Sequence, residues 1–299
     1  MLSILIPVYE FNVIELVEEL SRQAKNCKID YEIICFDDGS SDLIRQGNAT
    51  LANMQDVVWK DLPSNIGRSA IRNKLCESAR YPFMLFLDCD SRIERHDYIA
   101  YFVSAFDDNT VVYGGRCYEP NLPTDKKKYL RWLYGVERES IGAKQRNIHP
   151  YKSFMANNMM IPKWIYQSIR MNEALKGYGH EDTAFGKQLK DRGIKLLHID
   201  NPLCHIGLED AEIFIKKTEE SIKNLAFLIK SGLIDEDVKL YRYYKLLKKF
   251  GLVNMLDHRL TKMRPGLLNN LLSNKPDLKK FDYYKLGCLI RYMKDVQSA

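Results

Sequence analysis

The chain has 299 residues, 45% apolar and 28% charged, enough for one large α/β domain with an extension or for two domains. No stretch approaches the roughly 18–20 continuous apolar residues that cross a bilayer, and seven cysteines without a CxxC pair point to free thiols in a reducing, cytoplasmic setting. The net charge of +6 is unevenly divided: residues 240–299 carry 13 Lys and Arg against 4 Asp and Glu, and the rest 32 against 35. A basic tail thus follows a mildly acidic main domain, which suggests an anionic partner for the tail, such as a membrane surface.

In chain order, residues 3–8 form an apolar run that meets Pro7 and Glu10 too soon for a secretion signal and predicts a first buried strand. Residues 13–24 have helical spacing. Strands are predicted at 31–36, 56–59, 83–87 and 111–114, with a helix over 68–79. This alternation implies a mostly parallel, Rossmann-like α/β sheet with helices on both faces. Such sheets place ligands at the carboxyl ends of their strands. Residues 120–152, bounded by prolines and carrying Lys126, Lys127 and Lys128, are expected to form a mobile or partly helical insertion. Return strands are predicted at 153–161 and 194–199. Beyond Gly207 the pattern is helical: 209–229, 235–250, then shorter pieces to Val296. The expected division is a catalytic domain over 1–207, with the 120–152 insertion near its acceptor side, and a helical, basic extension over 208–299.

Two acidic groups follow strands. Asp37-Asp38-Gly39-Ser40 follows the second, and Asp88-Cys89-Asp90 follows the run 83–87. Two carboxylates at i and i+2 where a strand ends can converge on one hard divalent cation such as Mg2+ or Mn2+, whose shell is completed by water and substrate phosphates. Gly114-Gly115 closes the strand at 111–114, either as a plain tight turn or to let the backbone approach a ligand closely. Asn157 and Asn158 interrupt an apolar strand pattern, where asparagine is unfavoured, and are candidates to touch a donor sugar or an acceptor. Glu181 and Asp182 open a predicted helix, where acidic residues also serve as dipole partners.

Pro7-Val8-Tyr9, Asp37-Asp38-Gly39-Ser40, Asn65-x-Gly67-Arg68-x-Ala70-x-Arg72-Asn73 and Asp88-x-Asp90 occur in that order. Together they resemble the nucleotide-sugar half of a family 2 glycosyltransferase with the GT-A fold. Gly177-Tyr178-Gly179-His180-Glu181-Asp182 is similar to the acceptor-side motif of the same family, and the resemblance covers about residues 2–207. It implies transfer of a sugar from a nucleoside-diphosphate sugar, by family habit a UDP-sugar, to an acceptor hydroxyl in glycan or polysaccharide assembly, with inversion. It implies that Pro7, Tyr9 and Asp38 or Asp37 line the base and ribose pocket, with Glu10 also on the donor. Asn65, Gly67, Arg68, Arg72, Asp88 and Gly115 would serve the rest of the donor. Asp88 and Asp90 would hold Mn2+ or Mg2+, with His205 as a further metal ligand, a diphosphate contact, or a structural histidine. Asp182 would be the general base, with Glu181, Tyr178 and Asn158 on the acceptor. The family often has tryptophan at the Tyr178 position and glycine at the His180 position. Tyrosine keeps an aromatic platform, whereas His180 puts the acceptor preference in doubt.

The basic stretch 241–250 mixes aromatic, basic and apolar residues at roughly helical spacing. It either lies on an anionic membrane surface or packs an apolar stripe on its own domain with lysines outward. The acceptor itself would be a glycan or a lipid-linked glycan. Nucleic acid is a poor partner, because no recognition motif accompanies the charge. A dehydrogenase would need Gly-x-Gly-x-x-Gly after the first strand, and a sugar-phosphate nucleotidyltransferase a Gly-rich loop there. Pro7-Val8-Tyr9-Glu10 takes that place instead. A non-catalytic sugar-nucleotide-binding or scaffold protein on the same fold remains the alternative.

Overall fold

The computed structural model describes residues 1–295, which group into two compact units. The first comprises Met1–Glu119, Ser140–Ala174 and Phe185–Gly207; the second comprises Pro120–Glu139, Leu175–Ala184 and the chain from Leu208 onward. Segments 120–139 and 175–184, which the sequence pattern grouped with the first domain, therefore fall in the second unit.

The first unit is built on a seven-stranded sheet. Its strands are β1 (Leu2–Val8), β2 (Tyr31–Asp37), β3 (Val57–Asp61), β4 (Phe83–Leu87), β6 (Thr110–Tyr113), β8 (Asn158–Pro162) and β9 (Lys195–His198), in the order β3-β2-β1-β4-β8-β6-β9. Only β8 runs against its neighbours β4 and β6; the other pairings are parallel. The central strands read as near-continuous apolar runs because helices cover both faces. Ile4 and Ile6 face a cluster with Val17, Leu20, Ile99 and Phe102, from α1 (Ile14–Asn26) and α4 (Tyr98–Val103). Leu5, Phe36 and Phe86 face the opposite cluster with Ile71 and Leu75 of α3 (Arg68–Ser78) and Tyr166 of α7 (Lys163–Ile169). Helix α2 (Asp42–Asn48) completes this half of the unit.

A second sheet of very short strands is the feature the sequence did not announce. β5 (Ser91–Ile93), β10 (Leu203–His205) and β7 (Arg116–Cys117) lie in the order β5-β10-β7. Strands of two or three residues carry no alternation to read. The expected strand at 153–161 is shorter and later, because Pro150 opens a 3-10 turn (Pro150–Ser153) and β8 begins only at Asn158. The 120–152 segment is largely helical: α5 (Tyr129–Tyr134), a π-turn (Gly135–Glu139) and α6 (Ala143–Arg146). Helix α8 (Glu181–Asp191) begins in the second unit, its first turn falling within 175–184, and continues into the first.

The second unit gathers α5 and the helices α9 (Ala211–Lys230), α10 (Lys239–Lys249), α11 (Val253–Leu271) and α12 (Leu278–Asp295) around an apolar core that includes Leu130, Phe214, Leu225, Leu271, Phe281 and Leu289. Within it Arg131 is 2% exposed, 3.2 Å from Glu139 and 3.3 Å from Glu209, with its guanidinium over the Phe214 ring. The expected short pieces after residue 250 are instead two long helices. Pro265 reads as a breaker, yet sits inside α11. Val296 lies outside the described residues. No helix among the described residues is long and apolar enough to cross a membrane.

Candidate active site

At the carboxyl ends of β1 and β2 the first unit folds its loops onto one another. Tyr9 is exposed. Glu10 has φ 50, a left-handed conformation that is uncommon for a non-glycine residue. It is fixed there because its N–H donates to Ser40 Oγ (2.8 Å) and its carboxylate accepts from Ser41 N (2.7 Å) and Ser41 Oγ (2.9 Å). Asp37 is fully buried and accepts from Ser40 N at 2.7 Å. Asp38 accepts from the N–H groups of Ile66 (2.7 Å) and Gly67 (3.1 Å). Burial raises the Asp38 pKa, against the lowering effect of those two bonds. Gly39 has φ +77, and a Cβ there would meet Asn65 N at 2.7 Å, so only glycine allows the two loops this approach. The 37–40 motif and the 65–68 motif are thus one structure.

Gly67 leads into α3, which presents Arg68 and Arg72 to the end of β4. Arg72, 2% exposed, bonds Asp88 at 2.5 Å, and Arg68 lies 3.8 Å from the same carboxylate. Cys89, half-buried between the two aspartates, is held as a thiol, its pKa pushed up to about 12 chiefly by desolvation. Asp90 faces the small sheet. The pairing of β10 with β5 sets His205 opposite Ser91, which brings His205 Nδ1 to 3.3 Å from Asp90 Oδ1, with Arg116 Nη2 at 4.0 Å. Burial pushes the Asp90 pKa up, but His205, Arg116 and Arg68 outweigh it, and the carboxyl sits below the usual range. Tyr118 meets the His205 ring edge-on at 5.4 Å, and Arg116 lies over Tyr118. Gly207 is required by the same turn, since a Cβ there would lie 2.7 Å from Asp90 Cβ. Beside the turn opens a cavity of about 800 Å³ lined by Phe11, Ile14, Glu15, Cys89, Arg92 and Ile206, among others.

Asp90 Oδ1 is buried and makes no hydrogen bond of ordinary geometry, so a carboxylate oxygen beside an imidazole is available to a cation. Among the described residues no group of three or more His, Cys, Asp or Glu side chains is placed to hold a metal ion. A hard cation held here would have to take most of its shell from water and phosphate oxygens.

Two predicted residues have structural duties. Asn158 is 0% exposed: it accepts from Tyr98 Oη (2.7 Å) and donates to the carbonyls of Gly115 (2.8 Å) and Asn201 (2.9 Å). Its carboxamide is spent inside the fold, which corrects the expectation of an acceptor contact. Gly115, with φ +102, is enclosed by Arg146, whose Cζ would lie 2.9 Å from an added Cβ. Arg146 donates to the carbonyls of Gly114 and Ile199 and to His198 Nδ1. Arg116, Tyr118 and Arg146 were missed. The position of Arg116 directly after Gly114-Gly115 was the available signal; the other two are revealed only by the pairing of distant strands.

In the second unit, Glu181 is buried and Asp182 half-buried in the first turn of α8. The preceding loop places the Tyr178 ring 5.3 Å from Lys217 Nζ. His180 has φ 67, which accounts for the family's glycine at this position. Its Nδ1 lies 3.1 Å from Thr183 Oγ1, and burial pushes its pKa down to about 4.

Residues 3–161 match the family described as Glycosyl transferase family 2. The chain is 25% identical over 239 residues to chondroitin synthase of Escherichia coli, covering 68% of this chain and 34% of that protein. It is 28% identical over 210 residues to hyaluronan synthase of Pasteurella multocida, covering 58% and 21%. The chain thus spans about a third or less of the length of these relatives. Among solved structures it resembles the mannosyltransferase PcManGT from Pyrobaculum calidifontis in complex with GDP-Man and Mn2+, with TM-score 0.57 and 12% identity over 99% of this chain and 86% of that one. It also resembles S. aureus TarS 1-349 in complex with UDP, with TM-score 0.50 and 14% identity over 99% and 91%. At such identities the likeness is one of fold. With more than half its length matched and its sheet built on the GT-A plan, the chain belongs to glycosyltransferase family 2.

Proposed function

We propose that this chain transfers a sugar from a nucleoside-diphosphate sugar, most simply a UDP-sugar, to a hydroxyl of a growing or lipid-linked glycan, with inversion at the anomeric carbon. The observation that carries this reading is the meeting of Asp90, His205, Asp88, Arg68, Arg72 and Arg116 at one sheet edge. Such a mixed set suits a diphosphate and a cation together better than either alone. Asp38, Tyr9, Glu10 and the 65–67 turn would receive the base and ribose. Asp90 and His205 would be the direct ligands of Mn2+ or Mg2+, with Asp88, paired to Arg72, beside them; the ion when bound neutralises charge on the departing diphosphate. Arg68 and Arg116 would serve its oxygens. Asp182 would accept the proton of the attacking hydroxyl, a service worth roughly 10²- to 10⁴-fold. The new C–O bond forms as the anomeric carbon–phosphate oxygen bond breaks, and the electron pair leaves with the nucleoside diphosphate. Glu181 and Tyr178 would orient the acceptor sugar. The chondroitin and hyaluronan synthases and the UDP-bound TarS neighbour support glycan chemistry and a UDP donor.

A second element of the proposal is contact with the inner face of a membrane. α10 buries Tyr244 while Tyr243, Leu246 and Phe250 stay exposed among Arg242, Lys245, Lys248 and Lys249. One helix thus has a core stripe and a second apolar stripe flanked by cations, the composition of an interfacial helix. All seven cysteines are free thiols, in keeping with the cytoplasm. Flotation with anionic liposomes should be strong and salt-sensitive; absence of binding at low salt would remove this element alone.

The catalytic reading is tested with the purified chain, Mn2+, a panel of nucleotide sugars and hyaluronan or chondroitin oligosaccharides. A bound donor at 100 times its Kd adds about 2.7 kcal/mol of stability. Stabilisation and nucleoside diphosphate release should occur with one donor class and disappear in Asp90→Asn. Stabilisation without any release would favour a binding protein.

A further inference from the structure

We propose that Asn224, in the middle of α9, is a positioning residue that clamps the acceptor-side loop and thereby aims Glu181 and Asp182. The inference rests on the reading of Asp182 as the base. Asn224 Nδ2 lies 3.0 Å from the carbonyl of Lys176, 3.3 Å from that of Tyr178 and 3.1 Å from that of Gly179. One carboxamide, with two hydrogens, therefore serves three carbonyls of four consecutive residues. The same face of α9 forms the rest of the backing. A Cβ on Gly177 would lie 3.1 Å from Glu220 Oε2, and one on Gly179 would lie 2.5 Å from Ser221 Cβ and 3.1 Å from Ser221 Cα. Lys217 covers Tyr178. Positions 217, 220, 221 and 224 follow helical spacing, so a single helix face touches the loop along its length.

The loop needs such a clamp. Gly177, Gly179 and His180 have φ of +72, +95 and +67, conformations that local preference does not hold, and that cost a residue with a Cβ about 1–2 kcal/mol. Strain of this kind persists where the surroundings over-determine it, often at functional sites. From Gly179 the chain passes through His180 directly into Glu181 and Asp182, so movement of the clamped carbonyls turns the first residues of α8.

Asn224→Asp puts a carboxylate against three carbonyls, Asn224→Leu removes the donors, and Asn224→Gln keeps an amide on a longer arm. Hydrogen exchange of the full chain reads the clamp directly. Exchange in residues 176–182 should rise about tenfold or more in Asn224→Asp and Asn224→Leu and return partway in Asn224→Gln, with the flanks of α9 still protected. UDP release from UDP-GlcNAc in the presence of a hyaluronan oligosaccharide then reads function. The two disruptive variants should lose about tenfold or more in kcat/KM for the oligosaccharide, the range seen when an outer-shell support is removed, while affinity for UDP with Mn2+ stays within about twofold. Wild-type exchange in 176–182, or loss of UDP affinity in step with activity, would overturn the clamp. Asp182→Asn run in parallel separates the two ideas: if it is fully active the base assignment fails, whereas a dead Asp182→Asn beside an unperturbed Asn224→Asp defeats only the clamp.

Discussion

The pairing of Arg72 with Asp88 makes a quantitative prediction. Arg72 is 2% exposed, the Asp88 side chain is 13% exposed, and the two meet at 2.5 Å. In Arg72→Met the aliphatic volume is largely kept, but the nearest remaining cation shown for Asp88 among the described residues is Arg68, at 3.8 Å and with 39% of its side chain in solvent. Breaking a fully buried pair by removing one partner costs about 3–5 kcal/mol. Partial exposure of Asp88 and the second arginine reduce this to about 2–3 kcal/mol, since a solvent-exposed pair contributes only about 0–1 kcal/mol. At about 2–4 °C per kcal/mol for a domain of this size, the first unit's thermal midpoint should fall by roughly 5–10 °C. Asp88→Asn leaves a neutral partner and should cost less. The double variant should recover at least about 1 kcal/mol relative to additivity, because the uncompensated charge is gone. Denaturant titrations of the four proteins measure this directly. A coupling below about 0.5 kcal/mol would refute the claim that α3 holds the end of β4 in place electrostatically.

Asn158→Ala should act on stability and not on acceptor KM, costing roughly 3 kcal/mol for three hydrogen bonds whose partners stay buried; denaturant midpoints and acceptor titrations distinguish the two. Gly207→Ala should displace Asp90 and weaken Mn2+-supported donor affinity about tenfold or more, read by thermal shift with and without the metal. His180 and His198 both have pKa values pushed down to about 4, chiefly by burial. The unfolded chain therefore takes up protons that the folded chain refuses, and stability should fall as pH drops from about 6.5 towards about 4. Urea midpoints across that window should show the slope, and His198→Gln should flatten part of it.

The parts of the molecule that were legible in the sequence share one property: their signal is local. The apolar run of β4 followed by Asp88-x-Asp90, and Gly67 before α3, declare the element and the place of the motif at its end within a few residues. What was hidden depends on pairing between distant segments. The residues around His205 carry no local signal for its nearness to Asp90, which only the family resemblance implied: it reaches Asp90 because β10 pairs with β5, and strands this short have no periodicity. Asn158 was misread for a related reason. A polar residue in a buried strand has either a ligand or internal partners, and Tyr98, Gly115 and Asn201 lie far from it in the chain. Pro265 shows the opposite case, in which a local breaker is overruled by the packing of α11 on α12, where Leu260, Leu267 and Leu271 are buried.

The central claim is that donor binding and proton removal belong to different residues, Asp90 with its neighbours and Asp182. The direct test is to measure, on the same Asp182→Asn protein, equilibrium binding of the UDP-sugar with Mn2+ and the rate of sugar transfer. Binding within about twofold of wild type, with transfer reduced by about 10²-fold or more, is the predicted result. Full transfer activity in Asp182→Asn, or loss of donor binding in parallel with activity, would contradict it.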